Sequence, residues 1–356
     1  MTSFTFEAQA ARVVFGSGCL SQLPVELDRL GSERVMLVST SGRSMLAASV
    51  RDMLGDRVVE SFSRSVAHVP HGVALAATDA ASGSAADCLV ALGGGSAIGV
   101  AKAIALAMPV SILAVPTTYG GSEMTPIWGL TREGRKETGR NPRVQPKTVI
   151  YDPELTLSLP ARTTACSGLN AIAHCIEALY AANANPLTSS AAVEGIRALA
   201  SALPLLCETP RDGELRAEAL RGAWLAGFSL ATVQMSLHHK LCHTLGGSFD
   251  LPHAETHAVL IPYTSAYNRD AATEAMRRAA VALGGDDAPV ALLALARKIS
   301  APTSLRELGM SAADLDAAAD LAVERPYPNP RPVTRDTMRE LLGAAYDGDG
   351  SYVRVS

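Results

Sequence analysis

An α/β domain followed by an all-helical domain is the fold class this sequence predicts. Up to about residue 159, short apolar runs stopped by turn residues alternate with Ala-rich segments of helical spacing. Beyond Leu159-Pro160 the strand-like runs nearly vanish, and long Ala/Leu patterns at helical period take over. The 356 residues also exceed one core of ordinary size, so two domains are expected, 1–159 and 160–356.

The elements follow in order. Arg34 to Ser39 (RVMLVS) is a short apolar run that ends in a Thr-Ser-Gly turn. Val73 to Ala81 has helical spacing. Cys88 to Leu92 (CLVAL) runs straight into Gly93-Gly94-Gly95-Ser96, and a helix opens at about Ala97 and continues through Ile98 to Ala107. Ser111 to Val115 is stopped by Pro116, and Val149 to Tyr151 by Asp152-Pro153. Continuously apolar strands alternating with helices indicate a mostly parallel sheet covered on both faces. In the second half, Ser167 to Tyr180, Ser190 to Cys207, Ala217 to Leu230 and Ala288 to Ile299 read as helices. Glu324 to Val333 (ERPYPNPRPV) reads as an ordered loop rather than a linker.

Composition narrows the function. Hydrophobic residues make up 48% and charged residues 19%, which suits a large core and argues against disorder. Aromatics are 4%, so that core is built from Ala, Leu and Val. Lys plus Arg is 31 and Asp plus Glu is 35, a net charge of −4, so no basic surplus attracts nucleic acid. Six Cys without a CxxC pair read as reduced thiols of a cytosolic protein. Met1 to Phe15 has neither a basic leader nor an apolar signal core. The most apolar stretch, Ala103 to Val115, is broken by Pro109 and too short for a bilayer. A cytoplasmic enzyme with no nucleic-acid or membrane partner is expected.

Two loops carry nucleotide chemistry. Glycines at 93–95 permit positive φ and close backbone approach, and the helix that follows offers free N–H groups to a pyrophosphate. Alone, such a turn is equally compatible with a tight βα connection that holds nothing. A second turn, Pro116-Thr117-Thr118-Tyr119-Gly120-Gly121-Ser122-Glu123, follows the next strand. Two such loops at adjacent strand ends form the crevice where α/β sheets bind nucleotides.

Five of the eight His lie between 238 and 257. His239 and His243 are one helical turn apart and face the same way, and Gly246-Gly247 is expected to end their helix. His253 and His257 follow after a short loop, and Asn170 and His174 form an earlier pair at the same spacing. A lone His on an apolar helix is more often a core residue, but five in twenty positions point to a functional cluster. His238 and His257 are as compatible with a structural role as with a catalytic one.

The motifs GGGSAIGVAK, PTTYGGSEMTP, VIYDPELTLSLP, SGLNAIAHCIEALY and HHKLCHTLGGSFDLPHAETHAVLIPY, in this order, resemble the iron-containing alcohol dehydrogenase superfamily. The resemblance runs from Arg12 to Arg331. PTTYGGSEMTP, NAIAH and LHHKLCH are most similar to its maleylacetate reductases. It implies a dehydroquinate-synthase-like fold with the cofactor between two domains, a homodimer, a small dicarboxylate substrate, and a place in aromatic-ring degradation. By position, Gly94, Gly95 and Ser96 would hold the pyrophosphate, Thr117 and Thr118 would line the nicotinamide, and Lys136 would lie near the cofactor. Metal-dependent members use an Asp and three His, whose places are Asn170, His174, His239 and His253 here.

Three departures matter. Asn170 replaces the anionic ligand, and a neutral amide is a poor ligand for a divalent cation. Three His can hold zinc unaided, but the closer resemblance points to catalysis that needs no metal. Gly99 stands where GGGSxxD has Asp. The strand ending at Ser39 is followed by Thr40 rather than an acid that would bind a ribose 2′-OH, so both NADH and NADPH are expected to serve. Thr40 is otherwise an ordinary turn residue. The expected reaction is reduction of a conjugated C=C bond, with His243 or His253 as proton donor, His239, His174 and Asn170 around the substrate, and Lys240 on a carboxylate or merely solvated. The alternatives are a metal-dependent alcohol or glycerol-type dehydrogenase, a lyase like dehydroquinate synthase, and a non-catalytic nucleotide-binding module.

Overall fold

The computed structural model describes residues 4, 6, 11–133 and 135–354, without the side chain of Arg135. Most of the segment before Ala11, on which the leaderless reading rests, lies outside them. Residues 11–159 and 160–354 form two compact units, with Phe4 and Phe6 grouped with the second rather than with the first as the sequence division has it.

The first unit holds a six-stranded sheet in the order β1-β8-β5-β4-β2-β3. Its strands are β1 (Arg12–Phe15), β2 (Val35–Ser39), β3 (Val58–Phe62), β4 (Cys88–Gly93), β5 (Ser111–Pro116) and β8 (Thr148–Tyr151). Every pairing is parallel. Helices cover both faces: α1 (Leu23–Leu30) and α2 (Ser44–Leu54) on one, α3 (His71–Gly83) and α4 (Gly95–Ala107) on the other. Alternation along β2 sends Val35 and Leu37 into one core and Met36 and Val38 into the other. This is why the strand reads as an unbroken apolar run.

Two strands and a hairpin fold without the apolar run that marks the others. β1 and β3 are the sheet's edges, and β3 carries Glu60 and Ser61. The hairpin β6 (Ile127–Arg132) and β7 (Arg135–Arg140) is a separate antiparallel pair rich in charge. The chain leaves β2 outward to β3, then crosses back to β4 on β2's other side. The carboxyl ends of β2 and β4 are thus the switch point at which open α/β sheets bind nucleotides.

The second unit is helical: α5 (Ala161–Tyr180), α6 (Pro186–Glu208), α7 (Gly213–Thr232), α8 (Leu237–Ser248), α9 (His253–Asn268), α10 (Thr273–Leu283), α11 (Ala288–Lys298), α12 (Leu315–Val323) and α13 (Arg335–Asp347). α6 and α7 pack backbone to backbone at glycines. A Cβ on Gly222 would lie 2.7 Å from Leu199 Cγ and 3.1 Å from the Gly195 carbonyl oxygen. By length and composition two stretches, rather than 103–115, could cross a bilayer, 273–298 and α6. In the fold α6 is a bundle helix, with Ala192, Ile196 and Leu199 buried and Glu194 in ion pairs with Arg197 and Arg221.

α8 differs from expectation at its end. It runs through Gly246-Gly247 to Ser248, and Asp250, at φ 53°, takes the left-handed turn instead. Residues 324–333 form the ordered loop the sequence suggests. Asn268 and Asn329 exchange amide hydrogen bonds of 3.0 and 2.8 Å, and Ser236 Oγ donates to the Pro328 carbonyl at 2.9 Å.

Candidate active site

In the first unit the nucleotide loop is built by three glycines for three reasons. Gly93 has φ 146°, a conformation that disfavours any side chain. At Gly94 a Cβ would lie 2.7 Å from Thr118 Oγ1, so the next loop can lean on it only if it is glycine. Gly95 is exposed, with nothing within 4 Å of where its Cβ would be, so the space before it is open. α4 starts at Gly95, two residues before the expected Ala97, and the N–H groups of its first turn have no intrahelical acceptor.

Register brings the other predicted residues alongside. Ser39 pairs with Leu92 and Gly93 with Pro116, and Thr117 N–H donates to the Gly93 carbonyl at 3.2 Å. Ser39-Thr40, Gly94–Ser96 and Thr117-Thr118 therefore share one sheet end. Lys136 is elsewhere, on β7 opposite Thr131 and beside Gly129. The acid missing at residue 99 has a structural reason. A Cβ on Gly99 would lie 2.7 Å from Val69 Cγ2, and Val69 is held there at φ 47°.

Sequence reasoning missed what supports the second loop. Lys102, on the buried face of α4, donates from Nζ to the carbonyls of Ser122, Thr125 and Ile127 and to Thr125 Oγ1, at 2.6 to 3.0 Å. Glu123 accepts from Gly121 N–H at 3.0 Å and from Tyr151 OH at 2.9 Å. Burial pushes the Lys102 amine down and the Glu123 carboxyl up. Four oxygen acceptors around Nζ nevertheless match an ammonium. The signal was present: a lysine inside an otherwise apolar helix.

In the second unit α5, α8 and α9 bring the histidines together. His174 and His239 have ring centroids 4.9 Å apart, His239 and His257 5.0 Å, and His253 and His257 4.5 Å. The organising residue is Glu177, fully buried on α5 and also missed. It accepts from His239 Nδ1 at 2.5 Å, from His238 N–H at 2.8 Å and from Ser236 N–H at 3.3 Å. Asn170, His174 and Glu177, at i, i+4 and i+7, lie on one helix face. The bond to Glu177 fixes the proton of His239 on Nδ1 and leaves Nε2 buried without a partner.

A second chain of bonds fixes His257. Thr264 Oγ1 donates to the Leu260 carbonyl at 3.1 Å, so it accepts from His238 Nδ1 at 3.0 Å. His238 Nε2 then accepts from His257 Nδ1 at 2.9 Å. His257 Nε2 is thereby an unprotonated acceptor, also buried and unpartnered, as are His174 Nδ1 and Asn170 Oδ1. Burial, and then the neighbouring imidazoles, push His174 and His257 well below the ordinary histidine range, and burial pushes His238 to about 3.

His174, His238 and His257 are held neutral by their burial. Lys240 is not among the histidines' charges: the groups that act on it are Glu324 and Arg325, and burial lowers its pKa. His243 and His253 are half-buried, with near-parallel rings 6.4 Å apart.

Comparison with known proteins finds relatives along nearly the whole chain. The iron-containing alcohol dehydrogenase family matches residues 10–153, and the C-terminal part of the Fe-containing alcohol dehydrogenase family matches residues 164–346. A maleylacetate reductase of Burkholderia cepacia is 54% identical over 348 residues, 98% of this chain and 99% of that protein. One from Sphingobium indicum is 49% identical, over 97% of this chain and 98% of its own. The crystal structure of maleylacetate reductase from Agrobacterium tumefaciens superposes with a TM-score of 0.93 at 47% identity, covering 98% and 99% of the two chains.

Proposed function

The chain belongs to the iron-containing alcohol dehydrogenase family, and from that premise we propose that it reduces maleylacetate to 3-oxoadipate with hydride from NADH or NADPH. The observation that carries this is the near-complete relationship to maleylacetate reductases across both halves. The substrate is a 4-oxo-2-enedioate whose ketone makes the β-carbon electrophilic. Hydride from the nicotinamide C4 adds there, charge moves to the ketone oxygen as an enolate, and a proton goes to the α-carbon.

Each group has a task in this reading. Gly94, Gly95 and Ser96 cradle the pyrophosphate, Thr117 and Thr118 line the nicotinamide side, and Ser39 and Thr40 meet the adenosine ribose. Lys136, on β7 rather than at that sheet end, is placed near the cofactor by the family resemblance alone. His239, oriented by Glu177, with His174 and Asn170 shapes the pocket around the substrate. His243 or His253, the half-buried pair, delivers the proton, because these two keep contact with solvent from which to reload. Lys240 meets a substrate carboxylate. A homodimer and a cytoplasmic location complete the reading, supported by the family resemblance and by cysteines of which five are buried.

The family's name carries a metal, and this chain's donors do not fit one well. Asn170 is neutral where the anionic ligand is expected. Metal–nitrogen bonds of about 2.0–2.1 Å bring ligand atoms close together. Among the described residues, the only three ligand atoms within 4.8 Å of one another are those of His238, Cys242 and His257. Within that triple, His238 and His257 already share a hydrogen bond. We therefore propose catalysis without a resident metal, the enolate being met by N–H groups of His243 and His253. Dialysis against EDTA, followed by metal analysis, tests this: turnover should persist in metal-depleted protein. About one tightly held iron or zinc per chain, with turnover lost on its removal, would favour a metal-dependent dehydrogenase.

A further inference from the structure

The carboxyl ends of β2 and β3 carry cations that the reaction above does not use. Thr40 is neutral, and Arg43 N–H donates to its carbonyl at 3.0 Å, so the chain turns back at the strand end. The Arg43 guanidinium is half-buried. Its one side-chain bond is a long one, 3.4 Å to Ser158 Oγ, and it has no ion pair among the described residues. Burial alone lowers its pKa, with no carboxylate acting on it. Arg64, just past β3, lies exposed over the Phe62 ring at 5.0 Å, also without an ion pair among the described residues.

A third group is independent of both. Ser65 N–H donates to the Ser39 carbonyl at 3.2 Å, which ties it to the end of β2. Ser65 is 5% exposed, and its Oγ is buried with no partner. The single acid on either strand, Glu60, accepts from Ser61 N–H at 2.7 Å. Two guanidinium groups and an unused hydroxyl, with no acid at the strand end, suit a dianion.

We propose that Arg43, Arg64 and Ser65 seat the 2′-phosphate of NADPH. In sheets of this kind the strand beside the switch point meets the adenosine ribose, where an acid binds the 2′-OH and an arginine accepts a 2′-phosphate. The inference rests on the nicotinamide-cofactor reading and adds which residues set the choice between the two cofactors.

Calorimetric titration with 2′,5′-ADP and 5′-AMP tests it without any substrate. The wild-type chain should bind 2′,5′-ADP about tenfold more tightly or better. Arg43→Gln and Arg64→Gln should each lose most of that gain while still binding 5′-AMP, which also reports that the fold is intact. Thr40→Asp, at a half-exposed position, should abolish the gain through repulsion. Equal binding of the two nucleotides by the wild type, or a gain that survives both arginine changes, would overturn the proposal while leaving the cofactor reading standing. Absence of binding by either nucleotide would overturn both.

Discussion

Glu177 and Thr264 decide what the histidines can do, and neither stands out as catalytic from its sequence context. A glutamate in an apolar helix reads as an exception, yet its i+7 spacing from Asn170 was available and would have placed it on the same face. Thr264 gave no signal, because its role is to accept one N–H and so set the tautomers of His238 and His257 in turn. Asn170, His174, His239 and the nucleotide glycines were legible because their spacing alone puts them on one face or one turn. Lys240, an i+1 neighbour of His239, points to a different side of the helix. Glu177→Gln keeps the shape and removes the charge that orients His239. Turnover should fall about a hundredfold, with the KM for NADH little changed because the nucleotide loop belongs to the other unit. Steady-state kinetics checks this, and wild-type turnover in the variant would reduce Glu177 to a packing residue.

Strands buried on both faces announced themselves as unbroken apolar runs, so β2, β4, β5 and β8 could be read within a residue or so. The edges β1 and β3 and the hairpin were not legible, since half-exposed strands mix polar and apolar residues and take their register from neighbours. Helix interiors were readable, but starts were placed late: α5 begins at Ala161 and α6 at Pro186, where the first turns are polar or proline-led. The contact of α6 with α7 depends on paired glycines that no periodicity reveals. Gly222→Ala forces a methyl to within 2.7 Å of Leu199 and should destabilise the second unit by about 1–3 kcal/mol. Denaturant melts of the variant measure this. An unchanged midpoint would mean that α6 and α7 can slide apart freely.

Across the molecule, the buried histidine cluster links stability to pH. His174, His238 and His257 are neutral in the fold, with His238 at about 3 and the other two well depressed. Unfolded, each returns to about 6.5 and takes up a proton below that value. A depressed folded pKa means that stability is fully present above the unfolded value and is lost as pH falls toward the folded one. The loss is about 1.4 kcal/mol per pH unit for each proton, so up to about 4 for three. Urea midpoints at pH 7.5 and 5.5 should therefore differ clearly, the acid one being lower, and equal midpoints would mean that the cluster is already charged or wet.

The most direct test of the central claim is to mix the purified chain with maleylacetate and NADH or NADPH, follow the loss of reduced cofactor, and identify the product. The account predicts one equivalent of cofactor oxidised per 3-oxoadipate formed, with either nucleotide. No turnover of maleylacetate, alongside oxidation or reduction of a simple alcohol or aldehyde, would contradict it.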